Sequence, residues 1–189
     1  SSGGFKNIAI ANCVFDRCRG LAIETVDGGH LEDIVVSNIT MRDIVNSPIF
    51  LRLGGRMRSP EGTPKGSMKR VRISNINVYN ADSQYSSIIS GIPGSIIEDV
   101  TLSDIHIYHK GGFTAEDGKI VPPEQIKVYP DPLMFGTIPA KGFYIRHAKN
   151  VTFNNIDFHY DKPDGRPLFV TDDAEMIEYN RITVDGVKY

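Results

Sequence analysis

Asp172 and Asp173 stand side by side in "RPLFVTDDAE". Two carboxyls at one place are what acid–base hydrolysis needs, one held protonated to give a proton and one ionised to take one. The segment before them alternates like a strand, and neighbours on a strand point to opposite faces, so the pair could act together only if the chain bent there. A solvated turn is the expectation. A second chemistry comes from cations: between positions 52 and 72 stand Arg52, Arg56, Arg58, Lys65, Lys69, Arg70 and Arg72, with Glu61 the one acid among them. The histidines His30, His106, His109, His147 and His159 show no metal-ligand spacing, nor do Cys13 and Cys18. Surface positions are expected for the histidines, with His147 the best candidate for catalysis. Cys13 is expected in the core, a local bridge to Cys18 being the other reading. No metal or cofactor is expected.

What positions these side chains is a repeat. "FKNIAIANCVF" from Phe5 returns as "LEDIVVSNITM" from Leu31, "MKRVRISNINV" from Met68, "IEDVTLSDIHI" from Ile97 and "AKNVTFNNIDF" from Ala148, with a degraded "IEYNRITVDGV" from Ile177. Apolar residues alternate with polar ones within each copy, the period of a strand. The alternation skips at Asn12, Asn38, Asn75, Asp104 and Asn155. A corner is expected there, since asparagine tolerates left-handed backbone angles, and its amide can bond the copy above in a stacked ladder. A third apolar segment lies between copies: "GLAIET", "SPIFLRL", "SSIIS", "KGFYIRH" and "RPLFVTD".

Three strands per rung and an aliphatic stack without helices predict an all-β fold, a right-handed parallel β-helix of about six rungs. The chain reads as one partial β-helix domain, 1–189, beginning inside a longer protein and truncated on its N-terminal side. A Pro-rich insertion at about 111–140 is expected to be an ordered loop packed on the solenoid. Alternation points Ile23, Leu51 and Ile145 inward and Glu24, Arg52 and Arg146 outward on one stacked face, with Phe50 and Tyr144 beside them. Arginine offers a planar fork to carboxylates and hydroxyls. The candidate substrate-binding residues are therefore Arg52, Arg146, Glu24, Arg56, His147 and Tyr144, with Arg58 next.

At "RGLAIETVDGGHLEDIVVSNITMRDIVNSPIFLRL" the sequence resembles the later rungs of the glycoside hydrolase family 28 β-helix enzymes, the polygalacturonases and rhamnogalacturonan hydrolases. "SGIPGSIIEDVTLSDI", "FGTIPAKGFYIRH" and "DGRPLFVTDDAE" resemble a bacterial branch of that family. The resemblance covers nearly the whole chain but only the C-terminal half or so of the family's domain. It implies inverting hydrolysis of pectic chains by aspartates on earlier rungs, with acid and base about 6.5 to 9.5 Å apart. It also implies a cleft along the outward columns, a secreted or periplasmic location and a pectic polysaccharide or oligosaccharide as partner. The family's catalytic motifs do not occur here, so no catalytic residue is assigned and the chain alone is expected to be inactive. Its substrate-binding Arg-Ile-Lys aligns with Ala22-Ile23-Glu24, which loses both cations and weakens the case for a galacturonate there.

The alternative is a non-catalytic β-helix that binds polysaccharide or serves as a structural module. A calcium-dependent lyase lacks its acid cluster. Nucleic acid is not an expected partner, because no aromatic platform accompanies the basic run. The apolar stretches fall short of the roughly 18 residues of a membrane span, so no membrane insertion is expected. The formal charge of −2 decides nothing about partners. Cutting a solenoid between rungs exposes an edge and an open core end, so self-association is expected.

Overall fold

In the computed structural model, which describes residues 2–189, the repeat becomes stacked parallel strands. Each of the first four copies is one long strand: β1 (Phe5–Asp16), β3 (His30–Arg42), β5 (Ser67–Ala81) and β7 (Ile97–Gly111). The third apolar segments form the short strands β2 (Leu21–Thr25), β4 (Ile49–Leu53) and β6 (Ser87–Ser90). In β8 (Phe143–Lys162) and β9 (Phe169–Val184) the short and long parts are continuous, and β10 (Val187–Lys188) turns back antiparallel on β9. The long strands pair in the order β1-β3-β5-β7-β8-β9 and the short ones in the order β2-β4-β6-β8-β9. Because β8 belongs to both rows, the result is one curled, all-β sheet, parallel except at β10, wrapped around the larger apolar core.

Register explains the core. Ile39, Ile76, Ile105, Ile156 and Ile182 occupy one column across five rungs, and Val71, Val100 and Val151 stack beside them. Each aliphatic side chain rests on its equivalent one rung away, so burial is continuous along the stack.

The polar ladder is present in two stretches, Asn12 to Asn75 and Asp104 to Asn155. Asn38 donates to Asn12 at 3.0 Å, Asn75 to Asn38 at 2.8 Å, and Asn155 to Asp104 at 2.7 Å. All five corner residues are left-handed, with φ between 54° and 58°. A second column of left-handed corners, Asn7, Asp33, Arg70, Asp99, Asn150 and Met176, lies five residues earlier on each long strand. Its side chains also bond between rungs, as Asn150 does to Asp99 at 2.6 Å. At Gly111, with φ +68°, a Cβ would stand 2.0 Å from the Lys162 carbonyl oxygen of the next rung, so only glycine fits.

The last copy is displaced from its sequence expectation. Ala148 pairs with Ala174, Val151 with Ile177 and Ile156 with Ile182, so the copy begins at Ala174 and not at Ile177. Met176 and Arg181 take the corner positions that other rungs give mainly to Asn or Asp, which removes the marker that set the alignment.

Residues 112–142 fold back over the outward face of the short strands. Phe135, Ile138 and Ala140 bury against Phe50, Ile88 and Tyr144 in a second apolar cluster. Arg166 fastens the loop's end, donating to the carbonyls of Ile138 and Ser83 at 2.8 Å each while paired with Asp164 at 2.7 Å. Cys13 packs against the core in the isoleucine column, and both cysteines are free thiols.

Candidate functional site

The register brings Glu24, Arg52, Ser90, Arg146 and Asp172 abreast on consecutive short strands, and Ala22, Phe50, Ile88, Tyr144 and Val170 beside them. This is the outward column read from the sequence. The loop covers most of it. Arg52 is 1% exposed and donates to Ser90 Oγ at 2.7 Å, to the Gly91 carbonyl at 2.9 Å, and to the loop carbonyls of Glu124 and Gln125 at 2.9 and 3.2 Å. Its guanidinium also stands 5.1 Å from the Phe135 ring centroid. Burial lowers its pKa to about 10; two of its hydrogen bonds tie it to the end of β6, and those to Glu124 and Gln125 fasten the loop.

Arg146 and His147 are equally enclosed. Arg146 Nε donates to Asp172 at 2.7 Å, and Nη1 lies 3.4 Å from Glu124. The His147 ring is held between Asp173 at 2.5 Å and the same Glu124 at 3.1 Å. Tyr144 is buried below them, its hydroxyl 3.4 Å from Asp172, and burial holds its phenol above the ordinary range. Asp172 and Asp173 are therefore strand residues and not a free turn. The bend a joint action would need is present at Asp173, with φ 48°. Each aspartate, however, is engaged by a different cation-forming side chain from β8.

The basic run is mostly paired as well. Arg56 chelates Asp27 at 3.2 and 2.8 Å, which holds that carboxyl well below its usual range. Lys69 faces Glu32 at 3.4 Å, and Arg70 reaches Asp33 at 2.6 Å and Glu32 at 2.9 Å. Lys65 and Arg72 donate to the carbonyls of Pro93 and Asp99 at 2.8 Å each. Arg58 remains exposed. Among the histidines, His109 departs furthest from the surface expectation: it is fully buried, packs on Tyr160 at 5.7 Å, and burial lowers its pKa to about 4.

Where the loop stops, the column opens. Glu24 sits on β2, beyond the cover of Arg52, in an open cleft of about 130 Å³ lined also by Arg19, Asn46, Phe50, Tyr129 and Asp131. The loop delivers two of these. Pro130 and Pro132 fix the chain around Asp131, which caps a short 3-10 turn (Pro132–Phe135) by accepting from the Leu133 amide at 3.0 Å. Asp131 also accepts from the buried Asn46 amide at 3.2 Å and pairs with Arg19. Tyr129 is 67% exposed, with the Arg56 guanidinium 5.7 Å from its ring centroid.

Burial and the neighbouring Asp131 raise the Glu24 pKa to about 7, against the opposing pull of Arg56. The cleft thus sets a carboxyl able to keep its proton near neutrality beside one paired with Arg19, with an exposed aromatic wall. Of the sequence candidates, Glu24 lies in the cleft and Arg56 at its edge; Arg52, Arg146, Tyr144 and His147 lie under the loop. Asp131, Tyr129, Asn46 and Arg19 were not singled out in the sequence, although "YPDPLMFG" flags the loop that carries two of them. Comparison with known proteins returned no matching family model, no matching curated protein and no matching solved structure.

Proposed function

We propose that the stacked sheet is a right-handed parallel β-helix and that the chain is the C-terminal part of a pectin-directed glycoside hydrolase. In this reading the catalytic aspartates sit on preceding rungs, the cleft runs along the outward face of the short strands, and the protein is secreted or periplasmic. The observation that carries it is the open end of the outward column. There an exposed tyrosine, two carboxyls and an amide converge on the free edge of β2, where a further rung would continue the groove. Sugar rings are recognised by such a mixture, an aromatic face for C–H groups and paired donors and acceptors for hydroxyls.

The test is a calorimetric titration of the 189-residue chain with pectic oligosaccharides, run beside a reducing-end assay. Binding without release of reducing ends is expected. Release by the chain alone would overturn the upstream position of the acids, and no heat at millimolar ligand would overturn pectic recognition altogether.

A second reading, a polysaccharide-binding or structural β-helix without catalysis, draws support from Arg52 and Arg146, which fasten the loop instead of facing solvent. The chain fused to its preceding rungs separates the two: hydrolysis of a pectic polymer favours the enzyme, and binding without hydrolysis favours the module.

A further inference from the structure

We propose that the cleft between Glu24 and Asp131 is a subsite for a neutral, hydroxyl-bearing sugar residue and excludes a uronate; this rests on the pectic reading and specifies one of its subsites. Two carboxyls face the cleft, Glu24 from β2 and Asp131 from the loop. Each arginine around it already has a partner: Arg19 is tied to Asp131, Arg56 chelates Asp27, and Arg52 is turned under the loop onto Glu124 and Gln125 carbonyls. A uronate carboxylate entering here would meet the Asp131 carboxylate, and above about pH 7 a second one at Glu24, before any unclaimed guanidinium, and like charges at contact are strongly disfavoured in a partly dry site.

A neutral pyranose fits the same groups. A protonated Glu24 donates to one sugar hydroxyl, and Asp131 accepts from another. The buried Asn46 amide, 3.2 Å from Asp131, holds that acceptor in place. The exposed Tyr129 ring offers its face to the sugar's C–H side. The raised pKa of Glu24 keeps the donor available up to about pH 7, which a fully solvated glutamate would not be.

The experiment is an amide NMR titration of the 189-residue chain at about pH 6 with three probes: methyl α-L-rhamnopyranoside, methyl β-D-galactopyranoside and trigalacturonate. At least one neutral glycoside should shift the amides of Glu24, Tyr129 and Asp131, and trigalacturonate should leave them in place. Tyr129→Ala should weaken the neutral glycoside about fivefold to tenfold. Raising the pH to about 8 should weaken it in the native chain and not in Glu24→Gln, whose amide still donates. If trigalacturonate moves these amides and the neutral glycosides do not, the subsite assignment is wrong while pectic recognition stands. If none of the three moves them, the subsite is overturned, and pectic recognition is then judged by the calorimetric titration of longer chains.

Discussion

Burial raises the Glu24 carboxyl to about 7 and lowers the His109 imidazole to about 4, so the two groups act on stability in opposite senses as pH changes. Glu24 binds its proton more tightly folded than unfolded. Its contribution is fully present below the unfolded value of 4.5 and is lost as pH rises through 7. His109 is the reverse: its contribution is present above 6.5 and is lost as pH falls from there to about 4. Acidification of the native chain through this window therefore adds one effect and removes the other. Glu24→Gln should leave only the loss, making urea midpoints fall more steeply between pH 7 and 4.5 than in the native chain. His109→Gln should remove a penalty of up to about 3 kcal/mol at acid pH and leave the stability rising as pH falls toward 4.5. Parallel pH profiles for all three proteins would show that neither group is shifted by its surroundings.

Between strands, two devices hold the architecture, and each can be removed separately. The Asn12–Asn38–Asn75 ladder satisfies amides that would otherwise compete with the corner's own backbone. Asn38→Ala should cost about 1–2 kcal/mol, combining lost ladder bonds with the strain of a left-handed alanine. Asn38→Gly should recover the strain part alone, which urea denaturation of both variants would resolve. The second device is Arg52, whose donors join β4 and β6 to the loop at Glu124 and Gln125. Arg52→Met should leave those carbonyls buried without donors and detach the loop, costing about 3 kcal/mol. Proteolysis at 112–142 and faster amide exchange there would report it, with the aliphatic stack intact. The stack was legible because a two-residue period recurs with a fixed corner. The final register was not, because Met176 and Arg181 replace Asn or Asp at its corners. Nor was the cleft, because Asp131 and Glu24 are distant in sequence and meet only through the fold of a loop without periodicity. Alternation gave the direction of Arg52 and Arg146 correctly but says nothing about what lies over an outward face.

The two ends of the stack differ. At one end β10 folds back on β9, a hairpin that occupies part of the sheet's edge. At the other, β1 and β2 carry the last described rung, and an open apolar hollow lined by Phe5, Ile8, Ile10, Ile23, Leu31 and Ile34 leaves the core uncovered. An unpaired parallel edge beside exposed aliphatic surface favours association. The native chain should show a concentration-dependent mass in light scattering, and Ile10→Lys, which sets a charge in the hollow, should shift it toward monomer. A monomer at high concentration for the native chain would contradict this. The same end carries the Glu24–Asp131 cleft, and the two hollows adjoin at Ala22 and Glu24, the arrangement that the proposed polysaccharide groove calls for. The most direct measurement is a crystal structure of the chain grown with a pectic oligosaccharide. Sugar density packed on Tyr129 and bonded to Glu24 and Asp131 is the predicted result; sugar bound at another face, or none at saturating ligand, would contradict the account.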